Sequence, residues 1–337
     1  MAHYACINFF RETGSLQQRC NRGITNGERA MRHSVIIVTR RRSQELRRLL
    51  TCLRNQTRAA DDIVIVDASD DDDTADLIAS ERRSGDLPIR FLRTEADICA
   101  QRNAALELSL GDFITFLDDD VVLPPGYFAC VMDRFAGDET LAGLSGLLAN
   151  PVKRNLFERA FRHAFLLQTD KGTNRYRISG IPDFGYSFSE ERSVDFVAST
   201  AASFRGSAIG ATRFDGEAFG APALGLPSGR AFAEDVAFST QVALSGPLLL
   251  LPALTFEHYP SRSGRDDTRL AQTLYIHALR TISARRAHDI VQKAARIWAL
   301  FGAGLLCVIQ SIAKADSGYF LGYFSAFGLA GKGQRED

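Results

Sequence analysis

The chain has 337 residues, of which 45% are apolar and 24% are charged, as in ordinary globular proteins. Its 40 basic and 40 acidic residues give a formal net charge of zero, so the overall charge provides no argument for nucleic-acid binding. Six cysteines are scattered without paired spacing, which predicts reduced thiols in a cytoplasmic protein.

The first part of the chain differs from the rest. Residues 1–30 are polar, show little periodicity and lack the apolar segment of a signal peptide. We therefore expect a flexible N-terminal extension over residues 1–32, with Met31 as an alternative start of translation.

Strand and helix patterns alternate from residue 34 onward. Ser34–Thr39 is a β-branched run of strand length, and the helical leucine spacing of 43–57 follows it, with Ser43 as the N-cap. The same analysis predicts strands over 62–69, 88–94 and 112–118 and helices over 71–85 and 97–111, the last closed by Gly111. This order predicts an α/β protein with a mainly parallel central sheet flanked by helices.

Charged side chains follow the carboxyl ends of these strands, where ligands bind in such sheets. Asp67 ends the second strand, Asp118–Asp120 end the fourth, and Thr39 with Arg40–Arg42 follows the first. Carboxylates opposite an arginine-rich turn suit a nucleotide diphosphate with Mg²⁺ or Mn²⁺, which take oxygen ligands. Because apolar segments flank the triple aspartate, a solvated loop is the weaker interpretation there. For Asp70–Asp73 we expect a solvated loop in which Asp72 or Asp71 caps the following helix.

Several segments resemble the family-2 inverting glycosyltransferases, and they come in that family's order over roughly residues 33–260. The segments are SVIIVTRRRSQELRRLLTCLRNQT (34–57), DDIVIVDASDDDDT (61–74), CAQRNAALELSLGDFITFLDDDVVLPPGYF (99–128), FDGEAFG (214–220) and AEDVAFSTQVALSG (233–246). The chain departs from the family pattern at three places. The family often has proline at the position of Val38, asparagine or a small residue near Arg41, and usually glycine at Ser199-Thr200. The resemblance implies a GT-A fold and metal-dependent sugar transfer from a nucleotide-diphospho-sugar, by default a UDP-sugar.

The resemblance also implies roles for particular residues. Residues matched to the nucleotide-sugar site are Thr39, Arg41, Asp67, Arg102, Asp118 and Asp119, and those matched to the metal site are Asp120 and His258. Because side chains alternate along an extended segment, Asp118 and Asp120 can face one ligand while Asp119 points elsewhere. The alternatives are an exposed helix position for Arg102 and a purely structural histidine for His258. Arg262 and Arg265 would close over the diphosphate.

The acceptor side is predicted in the second half of the chain. Inverting transfer needs a base for the acceptor hydroxyl. Glu234 and Asp235 fall in the first turn of a helix predicted over 232–246, with Val236, Phe238, Val242 and Leu244 partly buried. The family match indicates Asp235 as the base and Glu234 as an orienting group, whereas acids at this position also commonly cap helices. For acceptor contacts we consider Phe184, Tyr186 and Phe188, and for a buried helix stripe Phe157, Phe161 and Phe165.

The C-terminal part has an apolar stretch of 17 residues, 297–313, preceded by a basic stretch that we predict to be one amphipathic helix. Its basic residues are Arg280, Arg285, Arg286, Lys293 and Arg296. This pattern fits peripheral docking on the inner face of the cytoplasmic membrane. The alternatives are a hydrophobic hairpin in the leaflet and a helical layer packed on the domain or on a second subunit.

We divide the chain into three parts. The N-terminal extension is 1–32, the GT-A domain is 33–265 with a nucleotide-binding half (33–130) and an acceptor half (131–265), and the C-terminal helical segment is 266–337. The expected partners are a nucleotide-sugar and a glycan or lipid-linked acceptor in cell-surface polysaccharide or glycolipid synthesis.

Three other functions are weaker. A nucleotidyltransferase is disfavoured because the turn TRRRSQE (39–45) lacks glycine. A non-catalytic scaffold would have no need of Asp118, Asp120 and Asp235. A processive synthase of the same family is disfavoured by the absence of a Gln-x-x-Arg-Trp signature.

Overall fold

The computed structural model describes residues 31–151, 154–169, 171–185, 189–226, 229–260 and 267–328. The predicted extension therefore lies almost wholly outside the described residues, as do Arg262, Arg265, Tyr186 and Phe188. The strands are β1 (His33–Thr39), β2 (Asp62–Asp67), β3 (Ile89–Arg93), β4 (Phe113–Asp118), β5 (Val121–Val122), β6 (Gly143–Leu148), β7 (Lys171–Tyr176), β8 (Pro182–Gly185), β9 (Arg192–Val194), β10 (Ala201–Arg205) and β11 (Leu248–His258). The helices are α1 (Ser43–Arg54), α2 (Asp73–Ser84), α3 (Ile98–Leu108), α4 (Tyr127–Ala136), α5 (Leu156–Ala164), α6 (Gly206–Ile209), α7 (Gly216–Phe219), α8 (Glu234–Val242), α9 (Thr268–Arg286), α10 (Ile290–Lys314) and α11 (Gly318–Ser325).

The central sheet has the order β3-β2-β1-β4-β10-β6-β11-β5, with β9 also paired to β11. Strands β1 to β4 are mutually parallel, β11 is parallel to β6, and β10 runs antiparallel to both of its neighbours. Thr39 lies opposite Asp67, and Val38 lies opposite Asp118, so the ends of three strands meet at one edge. The predicted α/β class with a mainly parallel sheet is confirmed.

Alternating side chains of the strands enter two separate cores. Val35 and Ile37 of β1 pack with the leucines of α1 and with α4, whereas Ile36 faces the other side. There it meets Cys99 of α3 and Phe238 of α8. The strands are apolar on both faces because helices cover the sheet on both sides.

Some predicted boundaries are wrong in detail. Ser43 is the first helical residue rather than the N-cap, and α1 ends at Arg54. The third helix ends at Leu108, and Gly111 does not cap it. A Cβ at Gly111 would lie 2.6 Å from the backbone nitrogen of Ser34 in β1, so glycine is needed there for the close approach of the chain entering β4 to β1. Helix α8 ends at Val242, which leaves Leu244 78% exposed rather than partly buried.

In the acidic run before α2, Asp71 is the residue whose side chain caps the helix: its Oδ1 accepts from the backbone N–H of Asp73 at 3.2 Å. Asp72 occupies the N-cap position without a capping hydrogen bond from its side chain. Asp70 instead pairs with Arg41, and Asp72 pairs with Arg93 at 2.6 Å. Other aspartates of the run therefore form ion pairs with arginines near the ends of β1 and β3.

The aromatic residues predicted to contact the acceptor or to form a buried helix stripe differ in their burial. Phe184 packs edge-on against Phe196, with ring centroids 4.9 Å apart, and belongs to an apolar cluster. Phe161 of α5 and Phe165, directly after that helix, pack against the C-terminal helices, but Phe157 is 66% exposed. The predicted buried stripe is therefore wrong at Phe157.

The C-terminal basic stretch forms two helices rather than one. Helix α9 ends at Arg286, and α10 begins at Ile290 behind a capping box in which Asp289 accepts from the backbone N–H of Gln292. Within the described ranges, α10 is the helix whose length and composition would let it cross a membrane, although a third of its apolar window is buried in the protein. The division of the chain at residues 33 and 265 stays a prediction.

His33, the first residue of β1, is fully buried. Its Nε2 lies 2.7 Å from Oγ1 of Thr115, and its ring meets Phe128 edge-on. Burial, reinforced by the positive charge of Arg58, lowers the pKa of His33 to about 3. The folded protein therefore keeps this ring neutral where an unfolded chain, with a pKa near 6.5, takes up a proton.

We expect this histidine to make the protein less stable in acid. Between pH 6.5 and 3 the unfolded state binds the extra proton, so the free energy of unfolding falls as the pH falls, by up to about 1.4 kcal/mol per unit. His33→Gln keeps a donor for Thr115 but cannot titrate. Urea unfolding between pH 7 and 4.5 should show a stability loss that is smaller in His33→Gln by on the order of 2 kcal/mol. The exposed control His288→Gln should follow the parent, and equal pH slopes in all three proteins would contradict the assignment.

Candidate active site

The three aspartates after β4 point in different directions. Asp119 turns back toward β1, where its Oδ2 accepts from Oγ1 of Thr39 at 2.7 Å and its Oδ1 accepts from Arg42 at 3.0 Å. Burial raises the pKa of Asp119 to about 6, against the opposing effect of Arg42. Asp119 therefore joins the ends of β1 and β4.

Asp118 and Asp120 face a histidine from a distant part of the sequence. His258 ends β11 and pairs with Val121 of β5, which places its ring over the turn. Its Nε2 lies 2.8 Å from Oδ1 of Asp120 and 3.9 Å from Oδ2 of Asp118. One ligand atom from each of the three residues lies within 4.8 Å of the others.

This donor set is chemically suited to a divalent cation. Two carboxylates supply the oxygen ligands that Mg²⁺ and Mn²⁺ prefer, and an imidazole adds a neutral nitrogen. Arg42 lies 3.3 Å from the second oxygen of Asp120, so it offsets part of the negative charge without occupying the oxygen that faces His258. The cluster of Asp118, Asp120 and His258 is a candidate metal site.

Arg102 connects this cluster to α8. Its guanidinium is buried, with Nη1 2.5 Å from Oε1 of Glu234 and Nη2 3.5 Å from Oδ1 of Asp118. The same group lies 5.1 Å from the ring centre of Phe214. The alternative of an exposed helix position for Arg102 is therefore wrong. A buried charge needs such partners, because desolvating it alone costs several kcal/mol.

The two acids at the start of α8 have different surroundings. Glu234 is 6% exposed and is engaged by Arg102. Asp235 is partly exposed, and it accepts hydrogen bonds from the backbone N–H groups of Ser199 at 3.0 Å and Val236 at 2.8 Å. Desolvation raises the pKa of both carboxyl groups, and Arg102 opposes that shift. Of the two, Asp235 is the carboxylate that a solute can approach.

The remaining predicted site residues lie at the ends of β1 and β2. Asp67 is buried, and its Oδ1 accepts from the backbone N–H of Ser69 at 3.0 Å. Gln101 of α3 donates to the carbonyl oxygens of Thr39 and Val66, which fixes the two strand ends side by side. The side chain of Arg41 points away from the aspartates of β4 to pair with Asp70.

The sequence did not predict individual site contacts for three residues: Arg42, Gln101 and Ser199. The run of three arginines did signal a basic residue near Asp118–Asp120. Arg41 has a positive φ of 54°, so the chain turns sharply and sends neighbouring side chains to opposite sides. That turn decides that Arg42, rather than Arg41, meets the aspartates.

Comparison with known proteins gives a family match and several similar folds. Residues 34–210 match the family model for glycosyl transferase family 2. A mannosyltransferase from Pyrobaculum calidifontis, in complex with GDP-Man and Mn²⁺, is 15% identical at a TM-score of 0.54, covering 99% of this chain and 97% of that one. S. aureus TarS 1–349 in complex with UDP-GlcNAc is 14% identical at a TM-score of 0.50, with coverages of 89% and 90%.

GalNAc-T7 with UDP, GalNAc and Mn²⁺ is 14% identical at a TM-score of 0.54, covering 90% of this chain. The chain spans 57% of the GalNAc-T7 structure and 45% of a longer TarS structure. At these identities the structures establish a common fold. No curated protein matches the sequence.

Proposed function

The chain belongs to glycosyl transferase family 2, and on that premise we propose that it is a metal-dependent, inverting enzyme that uses a nucleotide-diphospho-sugar. One observation carries the proposal. The guanidinium of Arg102 contacts both Asp118 of the candidate metal cluster and Glu234, the neighbour of Asp235. A group that holds a donor diphosphate and a group that takes a proton from an acceptor are thus adjacent, as single displacement requires.

The donor is proposed to lie along the ends of β1, β2 and β4. Thr39, Arg41 and Asp67 would line the nucleoside, and Asp118 and Asp119 would lie beside the ribose and the phosphates. Nucleotide-sugars in the complexes of two similar folds support this class of donor. A UDP-sugar is the first choice, with GDP- and dTDP-sugars next.

The metal is proposed to bind Asp120 and His258, with Asp118 completing the protein ligands. A divalent cation there would supply Lewis-acid stabilisation of the leaving diphosphate. Arg42 supports this arrangement because its contacts with Asp119 and Asp120 limit repulsion among the three carboxylates.

Asp235 is proposed as the general base. It would accept the proton of the acceptor hydroxyl while that oxygen bonds to the anomeric carbon and the bond from that carbon to the diphosphate oxygen breaks. The N–H groups of Ser199 and Val236 hold the carboxylate, and its raised pKa brings it closer to that of an efficient base at neutral pH. Glu234 and Arg102 would act through Asp235 by fixing the start of α8.

The acceptor is proposed to be a hydroxyl of a glycan or a lipid-linked sugar, in cell-surface polysaccharide or glycolipid synthesis. The reaction would take place in the cytoplasm, at the inner face of the cytoplasmic membrane for a lipid-linked acceptor. The nucleotide-binding half (33–130) and the acceptor half (131–265) would then supply the donor contacts and the base respectively.

A donor-hydrolysis screen tests this function. Purified full-length protein is incubated with UDP-, GDP- and dTDP-sugars in Mn²⁺ or Mg²⁺, and nucleoside diphosphate release is measured. We expect slow release from one donor class and none with EDTA, because water can replace the missing acceptor. Formation of nucleotide-sugar from a nucleoside triphosphate and a sugar phosphate would support a nucleotidyltransferase instead. Absence of any nucleotide binding by calorimetry would support a scaffold.

A further inference from the structure

An apolar stripe runs along the outer side of α10. It consists of the exposed residues Ile290, Ala294, Ile297, Trp298, Phe301, Leu305, Val308, Ile309 and Ile312, called the outer stripe below. These positions recur every three or four residues, so they share one helix face. The stripe spans about 33 Å at 1.5 Å per residue. Exposed apolar stripes of this length are uncommon on soluble monomers.

The opposite side of α10 is fixed to the protein. Ala299, Ala303 and Cys307 are buried in a cluster with residues of α9. A Cβ at Gly302 would lie 2.3 Å from the Cβ of Phe165, so this face of the helix fits tightly against the end of α5. Helix α9, which packs against α10, carries Arg269, Arg280, Arg285 and Arg286. Because these charges would have to enter the bilayer with it, α10 cannot cross a membrane in this packing. It can present only its outer stripe.

The exposed apolar surface continues beyond α10. Trp298 stacks on Phe165 with ring centroids 4.7 Å apart, and its indole N–H donates to the carbonyl oxygen of Ala164. Through Phe161 this contact leads to Phe157, whose ring is exposed beside Leu156. At the other end, the backbone N–H of Phe320 donates to Ser311, which places the exposed Phe320 of α11 beside α10.

Basic residues outnumber acidic ones on α5 and α10. The acids nearest the outer stripe each have a partner: Asp289 accepts from the N–H of Gln292, Asp316 from the N–H of Gly318, and Glu158 from Arg162. The sequences of α10 and α11 contain no acidic residue. Exposed Lys293 and Lys314 flank the stripe at its two ends, with Arg159 and His163 on α5. We propose that the outer stripe is a docking surface for an anionic lipid membrane, with α10 lying in the plane of the interface. Helices with a tryptophan-containing apolar face and a basic border bind in this way.

A second copy of the chain is a poorer occupant of the same face. A two-fold interface brings the same patch of each subunit together. With α10 helices antiparallel, Lys293 of each copy would approach Lys314 of the other with Asp289 and Asp316 beside them, so this contact would bring like as well as opposite charges together. Anionic lipid headgroups instead match the charge of the lysines, at about 1 kcal/mol per basic residue near the surface.

The membrane would then lie one helix layer away from α8. Tyr275 of α9 packs edge-on against Phe232, two residues before Glu234, and Ile282 of α9 packs in a cluster with Val236. Such a surface would bring lipid-linked acceptors near Asp235. The docking itself does not depend on the proposed chemistry, because it can be measured without any substrate.

The test uses the full-length protein, vesicles of phosphatidylcholine with or without about 30% phosphatidylglycerol, and no nucleotide. Trp298 is the only tryptophan in the chain, so its fluorescence reports on the stripe directly. We expect cosedimentation with the anionic vesicles, a blue shift of the emission, and weaker binding in high salt. The double variant Ile297→Glu/Ile312→Glu should lower the partition coefficient at least about tenfold, since it removes two buried apolar contacts and adds two repelling charges.

Leu244→Glu is the matched control, because Leu244 is equally exposed but lies on another part of the surface. It should bind like the parent, and unchanged circular dichroism would show that all variants fold. Equal binding of the double variant, or no binding by the parent, would overturn the proposal. A parent that is dimeric without lipid in sedimentation equilibrium, and monomeric as the double variant, would show that a second copy covers the stripe.

Discussion

Replacement of Asp235 by asparagine is expected to abolish transfer almost completely while leaving nucleotide affinity within a few-fold of the parent. A general base acts only in the transition state, and loss of a positioned base typically costs about a hundred- to ten-thousand-fold in rate. Asparagine keeps the shape of the side chain, but its amide cannot take the proton. One of the two N–H groups at Ser199 and Val236 also loses its acceptor, because asparagine offers a single oxygen.

The measurement is a transfer assay beside a calorimetric titration with the nucleoside diphosphate. Glu234→Gln is the matched comparison, because the two acids are adjacent but only Asp235 is accessible. We expect Glu234→Gln to retain more turnover and to lose more stability, since it weakens the buried pair with Arg102. An active Asp235→Asn with an inactive Glu234→Gln would reverse the two roles. Activity in both variants would place the base elsewhere.

Replacement of Asp120 by alanine is the second change for which we expect a large effect. It removes the carboxylate that faces His258 at 2.8 Å and disrupts the candidate metal cluster. Lewis-acid stabilisation of a leaving group is worth several kcal/mol, which corresponds to about a thousandfold or more in rate. Removal of the metal from the parent with EDTA should have a comparable effect, and added Mn²⁺ or Mg²⁺ should restore only the parent.

The fold should survive this substitution, because Arg42 keeps its 3.0 Å contact with Asp119. A melting temperature close to that of the parent would separate loss of the site from loss of structure. Asp72→Ala is the control, since Asp72 is an exposed aspartate of another strand-end loop and pairs with Arg93. Full turnover of Asp120→Ala in the presence of EDTA would show that the reaction needs no metal at this cluster.

The first half of the fold could be predicted from the sequence because its signals are local. The apolar strands β1, β2 and β4 and the intervening helices were recognised from periodicity, and parallel strands of adjacent units necessarily end at one edge. The approach of Thr39, Asp67 and Asp118 therefore required no knowledge of distant contacts. Boundaries such as Gly111 were less predictable, because close approach to β1, not helix termination, requires that glycine.

The contacts that define the candidate site were harder to predict. The pair Arg102–Glu234 joins residues 132 positions apart, and nothing local to either residue indicates its partner. His258 was matched only through the resemblance, since its position depends on the pairing of β11 with β5. For α10, periodicity could not say which face is buried, because both faces are apolar and the packing of α9 and α11 makes the choice.

The antiparallel direction of β10 affects which side chains are tolerated at residues 199 and 200. Because β10 runs against β4, the residues that precede it arrive at the edge where the other strands end. There the carbonyl oxygen of Thr200 accepts from the N–H of Asp118, and the N–H of Ser199 donates to Asp235. The main chain at these two positions makes both bonds, so the small side chains of Ser199 and Thr200 take no part in setting the separation of the two carboxylates. Serine and threonine can therefore stand where the family usually has glycine without changing the distance between the carboxylates of Asp118 and Asp235.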